Sequence, residues 1–501
     1  MRTFVFTEAK SNKFWNIELS GKTFTVTFGR VGTNGQSQMK GFADAATAKK
    51  EHDKLVAEKL KKGYVETTAS TPAPAKPAKP EPSTEQKALE AALVAHPDEA
   101  TAHAVYGDYL VEAGDPRGEL VQVQLALEDE TRPKADRDAL RKREKALLKK
   151  HAGEWMGEAG RFLVGEWSGK DKPYHGAFAR GWLDTVRTLP VPEMLIEAVA
   201  KSPEARMLRR LEVIYDMRYH PFDFDQFIEK LNGVLTEDEQ LDEEGFYMSD
   251  PGTLLPPLAG SPYLTNLRVL KYGFSDDHPR GPSHSTMVSP FGSKAAELLD
   301  VLKNCPRLEE LYLNTDLRPI DTVFSSKLLG NLRVFQYYYG TNYSDYRSRA
   351  NPYPLSVLAQ NKALKNLATL RLHPGRETTI DIDEFDALVR SKNLPALAHL
   401  QVHMTTFGDE GADRLVSSGI LKRLKTLDIG YGNMTDDGAR VLAACPDLKN
   451  LEVLDVSKNA LTRAGISALK GAGVRIVADD QHSNDEGDDT YNEYLYSVDW
   501  E

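Results

Sequence analysis

The sequence predicts a multidomain chain: a small α+β module, then a helical cap, then an α/β repeat solenoid that presents one face of parallel strands. Three observations predict it. Five prolines crowded between positions 72 and 82 separate the first 66 residues from all that follows. Strand-like segments with a glycine turn precede that stretch. Near the C-terminus one strand-turn-helix pattern recurs every 27 residues. The expected divisions are 1–66, a linker over 67–86, a helical region over 87–178, repeats over 179–478 and an acidic tail over 479–501.

In the first module Phe4-Val5-Phe6, Phe14 to Leu19 and Thr23 to Phe28 read as strands, being rich in aromatic and β-branched residues. Ser20-Gly21-Lys22 supplies a hairpin turn between two of them. Ala45 to Lys62 has amphipathic helical spacing, and Gly63 stands where a helix end favours positive φ. An antiparallel sheet with one helix follows.

The run Phe28-Gly29-Arg30-Val31-Gly32, with Gly35-Gln36, Lys40, Phe42 and Lys61-Lys62-Gly63-Tyr64, closely resembles the WGR domain over about 64 residues. In poly(ADP-ribose) polymerases such domains help grip DNA ends, so the resemblance implies DNA or RNA as a ligand. The position of the motif's Trp is Phe28, which keeps an aromatic face without the indole N–H. Lys13, Phe28, Arg30 and Lys40 are the candidate nucleic-acid contacts, because phosphates are met by flexible cations. A different ligand, with Arg30 a solvated strand-end charge, stays open.

Thr67 to Gln86 reads as a proline-stiffened spacer. Beyond it Glu85 to Ala95, Pro97 to about Ala113, and Arg117 to Glu128 read as helices, with Gly114-Asp115-Pro116 as the break. The stretch Tyr106 to Leu120 resembles the repeat-companion domain found ahead of repeat arrays in planctomycete and myxobacterial proteins. That resemblance implies no particular activity. Physically, a helical cap is expected to cover the apolar end of the first repeat. Lys134 to Lys150 is a basic helix with Leu140, Ala146 and Leu147 as its buried stripe; its charged side is either solvated or a surface for nucleic acid or membrane.

Leu397 to Val402, Leu424 to Ile429 and Leu451 to Val456 are spaced by 27 residues, as are Gly411, Gly438 and Gly465. This period resembles the ribonuclease-inhibitor class of leucine-rich repeats. Looser copies begin at Leu211, Leu267, Leu308, Leu332 and Leu367, their spacing stretched by insertions that must leave as loops. Side chains alternate along each strand, so those between the leucines are expected on the concave, solvent-facing side. One column is expected to hold Lys271, Tyr312, Gln336, Arg371, Gln401, Asp428 and Asp455. The next is expected to hold Asn314, Tyr338, His373, His403 and Ser457. Tyr312, Tyr338, Arg371, His373 and His403 are the candidate protein-binding residues, with Tyr337, Tyr339, Tyr343, Tyr346 and Tyr353 adding tyrosine nearby.

His373 and His403 are expected on adjacent strands, within reach of one metal ion or proton, but no Cys, Asp or Glu at convincing spacing completes a set. Thr379 to Asp386 lacks the turn glycine of a calcium loop and reads as a capped helix start. Phosphate loop, nucleophile elbow and zinc signatures are all missing. No catalytic residue, metal or cofactor is expected.

Net charge is −11, yet residues 1–66 carry an excess of five positive charges, whereas 479–501 carry nine acidic residues and no Lys or Arg. Cys305 and Cys445 occupy matching repeat contexts and read as small buried residues of a reducing compartment. The apolar runs are too short for a membrane span or a signal-peptide core, so a bacterial-type cytoplasm is expected. The expected function is a non-enzymatic scaffold or adaptor that binds protein on the repeats and a second ligand on the WGR module. A nucleic-acid sensor and an unfamiliar enzyme are the alternatives.

Overall fold

The structure is a computed structural model and describes residues 2–8, 11–30, 36–42, 44–67, 82–163, 174–188, 193–215, 254–274, 293–315, 317–338, 353–374, 380–403 and 407–482. Two compact units divide these residues, one ending at Ala88 and the other beginning at Leu89.

The first unit is an antiparallel sheet of β1 (Arg2–Glu8), β2 (Ser11–Ser20), β3 (Thr23–Arg30), β4 (Gln36–Gly41) and β5 (Val65–Thr67), in the order β4-β3-β2-β1-β5. Ser20 pairs with Thr23, leaving a two-residue turn at Gly21-Lys22 in which Gly21 has φ of 55°. Helix α1 (Ala45–Lys61) starts at Asp44, whose carboxylate accepts the Thr47 N–H at 2.7 Å, and stops before Gly63 at φ 85°. Alternation puts Phe4, Trp15, Ile17, Phe24 and Val26 on one sheet face, where they are buried with Val56 of the helix.

The division falls within α2 (Thr84–Ala95), and the second unit continues with α3 (Ala100–Glu112), α4 (Pro116–Leu127) and α5 (Lys134–Trp155). Asp115 caps α4 by accepting the Arg117 N–H at 2.8 Å, and Pro116 takes the first-turn position where its missing N–H costs nothing. Helices α3 and α4 cross where two glycines meet. A Cβ on Gly118 would lie 2.6 Å from both the Gly107 carbonyl oxygen and the Val111 nitrogen. Helix α5 buries Leu147 and Trp155; Ala146, expected in its buried stripe, is exposed instead.

An eleven-stranded sheet follows. The antiparallel hairpin β6 (Tyr174–Ala179) and β7 (Trp182–Thr188) forms one edge. From β7 on, every pairing is parallel: β8 (Arg210–Tyr215), β9 (Val269–Phe274), β11 (Glu310–Asn314), β13 (Val334–Tyr338), β14 (Thr369–His373), β15 (His399–Val402), β16 (Thr426–Asp428), β17 (Val453–Asp455) and β18 (Arg475–Val477). The intervening β10 (Ser293–Lys294) and β12 (Leu317–Arg318) pair with each other. Leu211, Leu270, Leu311, Phe335, Leu370, Leu400, Leu427 and Leu454 share one register and are buried. The stretched early copies keep this register.

The helical region covers the first strands. Trp182 of β7 is buried with Leu93, Tyr106, Leu110 and Met207, its ring stacked 5.5 Å from Tyr106 and flanked by the guanidinium groups of Arg117 and Arg206 at 5.1 and 5.5 Å. Glu90 binds Arg206 and accepts the Tyr106 hydroxyl at 2.9 Å. Arg307 donates to the Ala95 carbonyl at 2.8 Å, tying the α2–α3 turn to a repeat.

At the other end, the repeats interlock through three successive helices, Gly408–Ser418, Asp436–Ala444 and Arg463–Lys470. Asp409 accepts the Thr435 N–H and hydroxyl (2.8 and 2.7 Å) and the Gly438 N–H (3.0 Å). One repeat on, Asp436 accepts from Thr462 at 2.9 and 2.6 Å. Each carboxylate thus meets the unsatisfied N–H groups of the next helix. The repeated glycine makes room for it, since a Cβ on Gly438 or Gly465 would lie 2.5 or 2.2 Å from that oxygen. At the corresponding position of the last repeat stands Arg463.

Replacing Gly118 by Ala is expected to destabilise the second unit by about 1–3 kcal/mol through overpacking at the α3–α4 crossing, read from denaturant unfolding. The hydrogen bonds from Thr462 hold the Asp436 carboxyl below its ordinary value of 3.8, so its contribution is present above that value and lost as pH falls through the lowered one. Melting curves across pH are therefore expected to show Asp436→Ala furthest below the parent at neutral pH, the gap narrowing in acid.

Candidate functional site

The strand face offers three columns of side chains between the buried ladders. The first runs through Glu310, Val334, Thr369, His399, Thr426 and Val453, all half-buried. The second is the expected one, with Lys271, Tyr312, Gln336, Arg371, Gln401, Asp428 and Asp455 in consecutive register. In the third, Asn314 pairs with Tyr338 and Tyr338 with His373, while the His403 N–H reaches the Leu372 carbonyl at 3.0 Å.

Exposure differs from expectation in a consistent way. Arg371 is exposed and Tyr312 half-buried, but Tyr338, His373, Asn314 and Gln336 are buried. The third column is therefore largely packed rather than open. Its large rings fill it: Tyr338 and His373 lie 5.3 Å apart between centroids, His373 and His403 5.3 Å apart, and Tyr431 sits 5.0 Å from His403. Tyr337 and Tyr353, expected to add to a tyrosine-rich surface, belong to the core. Tyr337 shares the ladder register of Leu313 and Leu372, and Tyr353 donates its hydroxyl to the Tyr337 carbonyl at 2.7 Å. Tyr339, Tyr343 and Tyr346 lie outside the described residues.

One hydrogen-bonded chain joins the histidines. The Gln401 amide donates to the Tyr338 hydroxyl at 2.7 Å and reaches His403 Nδ1 at 3.1 Å. His373 Nδ1 lies 3.2 Å from that same nitrogen, and His403 Nε2 lies 2.8 Å from Asp428 Oδ2. The other Asp428 oxygen accepts the Gly430 N–H at 3.0 Å. The expectation that no acidic residue accompanies the pair is thereby corrected: Asp428 comes from the next strand, 25 residues away in sequence. This arrangement locks the rings rather than freeing them, since both nitrogens of His403 are engaged. Among the described residues, no group of three or more His, Cys, Asp or Glu is placed to hold a metal ion.

Tyr431 belongs to this cluster although the strand pattern does not point to it. It has φ of 55°, as does Lys458 one period later, and the Lys458 ammonium stands 4.8 Å from its ring centroid. The 27-residue period was the signal that could have paired them. Tyr312 is held likewise, with Lys271 4.9 Å over its ring and its hydroxyl donating to Glu310 at 2.9 Å. Desolvation, helped by Glu310, pushes its phenol up to about 12. The run at Thr379 to Asp386 is a capped helix where described: Asp381 accepts the Asp383 N–H at 2.8 Å.

In the first unit, Lys13 on β2 pairs across the sheet with Arg30 on β3. Lys40 is exposed on β4, its ammonium 5.5 Å from the Phe42 ring. Phe28 is half-buried against the core of the module, so it is no freely exposed platform. The Arg30 side chain lies outside the described part of the structure.

Comparison with known proteins agrees with this layout. The WGR domain model matches residues 1–71, and the leucine-rich-repeat model matches 423–443 and 447–470. The chain carries an N-terminal WGR domain followed by a leucine-rich-repeat solenoid. Protein YehF of Escherichia coli K12 is 53% identical over 66 residues, 13% of this chain and 24% of that protein. The uncharacterized protein YfeS of the same organism is 43% identical over 65 residues, 13% of this chain and 27% of its own length. The chain thus spans about a quarter of either relative. Among solved structures, a Bacteroides fragilis protein is 18% identical with a TM-score of 0.31, covering 96% of this chain and 97% of its own. An internalin from Listeria monocytogenes is 14% identical with a TM-score of 0.25, covering 59% and 90%. The repeat fold stands on the strand register and the family match rather than on these overlaps. No helix among the described residues is long and apolar enough to cross a membrane.

Replacing His403 by Ala strips Asp428 Oδ2 of its histidine partner and breaks the chain from Asp428 to Tyr338. A loss of roughly 1–3 kcal/mol in unfolding free energy is expected by denaturation. His403→Gln, which keeps a donor and an acceptor, is expected to lose less.

Proposed function

We propose that this chain is a non-enzymatic interaction protein, a scaffold or adaptor whose repeat face holds a protein partner while the WGR domain engages a second ligand. The carrying observation is the column in which Tyr312 and Arg371 stand on register-locked strands, backed by fully buried ladders. An aromatic and an arginine already fixed on rigid backbone lose little entropy on binding. Val334, Thr369, His399 and Thr426 lie beside them and extend the contact area. Engagement of both His403 nitrogens supports binding over catalysis, since a general base needs a lone pair open to substrate. The two thiols fit a reducing cytoplasm: both are buried, and desolvation pushes Cys305 up to about 12.

A second reading, DNA or RNA on the WGR domain, is favoured by the paired cations Lys13 and Arg30 and by exposed Lys40.

Affinity capture with the full chain, compared with Tyr312→Ala and Arg371→Glu, tests the first reading. Both variants are expected to melt like the parent and to weaken a partner bound on this face by tenfold or more, roughly 1.4 kcal/mol. A partner held equally by all three proteins would place its contact elsewhere.

A further inference from the structure

Helix α5 carries a feature that neither the repeats nor the WGR domain explains. Of its 22 residues, Leu147 and Trp155 are buried, while Lys134, Arg141, Lys142, Lys145 and Lys149 are all exposed. At 3.6 residues per turn these five cations fall within about 100° of the helix circumference, opposite Leu147, and from Lys134 to Lys149 they extend roughly 22 Å.

The helix sorts its charges. Arg143 is turned to Glu119 of α4, and Glu144 accepts the Gln124 amide of α4 at 2.7 Å. Asp138 is the one carboxylate on the outer stripe, 3.5 Å from Arg141. The four stripe lysines have no ion-pair partner among the described residues. Such a row of unneutralised cations on one rigid helix repels itself, and a polyanion relieves that repulsion directly.

We propose that the outer face of α5 is a nucleic-acid contact that meets the phosphate backbone of duplex DNA without reading sequence. Over 22 Å a duplex presents about a dozen phosphate charges, an ample match for five cations. A membrane surface fits worse. Amphipathic helices that lie on lipid insert an apolar face, whereas the buried apolar residues of α5, Leu147 and Trp155, are turned into the protein against Leu120, with Leu148 packed beside them. This contact lies in the second unit and does not rest on the WGR domain binding nucleic acid.

The test is anisotropy titration of a labelled duplex with the full chain, at salt from about 50 to 200 mM, alongside anionic vesicles. Four variants are needed: Lys134, Lys142, Lys145 and Lys149 all changed to Gln; the same four changed to Arg; Lys13, Arg30 and Lys40 changed to Gln; and the first and third sets combined. Gln and Arg both suit helices, so α5 is expected to persist in each, checked by circular dichroism. The four-Gln protein is expected to bind at least tenfold more weakly at low salt. Its log–log salt slope is expected to be shallower by about two to four, near 0.9 for each phosphate no longer neutralised. The four-Arg protein is expected to match the parent. The WGR variant is expected to retain salt-dependent binding that adding the four Gln changes abolishes, which separates this inference from the WGR reading. Equal affinity and slope in parent and four-Gln proteins would overturn it, as would no duplex binding by the parent, or binding to vesicles in place of DNA.

Discussion

Burial of two side-chain ladders behind a parallel sheet is the constraint on which the larger unit depends. Leu311, Phe335, Leu370, Leu400 and Leu427 stack in one register, Leu313, Tyr337, Leu372 and Val402 in the next, all withdrawn from water. Each fully buried side chain of this size contributes about 1.5–3 kcal/mol, and a slip of one residue would turn the whole set outward. Register is therefore strongly specified, and with it the identity of every side chain on the opposite face. Phe324 closes the core from behind, edge-on to Phe335 at 6.0 Å and to Tyr337 at 5.8 Å.

A solenoid is open at both ends, and this chain treats them differently. At the first strands, Trp182 is stacked between aromatic and guanidinium groups of the preceding helices and so is withdrawn from solvent. Toward the C-terminus the carboxylates of Asp409 and Asp436 join successive helices. Gly438 and Gly465 therefore do two jobs with one absence: they leave space for the oxygen and present an N–H to it.

Much of this was legible in the sequence. The 27-residue period, the hairpin at Gly21, the cap at Gly63, the break at Gly114-Asp115-Pro116 and the second column of the strand face all follow from spacing and local backbone chemistry. The candidate site was legible only in part. Tyr312 and Arg371 were placed by alternation alone, but alternation cannot say whether a side chain on the open face is covered by its neighbours. Tyr338 and His373 are buried against each other, and Tyr431, from a strand-end turn at φ 55°, packs 5.7 Å from the His373 ring. Phe28 escaped for the same reason, its ring packing against the core of its own module.

By itself, then, the sequence determined the modules, the period of the array and which side chains alternate inward, because these depend on interactions between residues close in the chain or repeated along it. Only the tertiary structure decided which of the outward residues stay open and which bind each other. Asp428 meets His403 across 25 residues, and Gln401 meets Tyr338 across 63. Such pairings form when insertions of unequal length have brought strands into register, and neither composition nor spacing encodes the outcome.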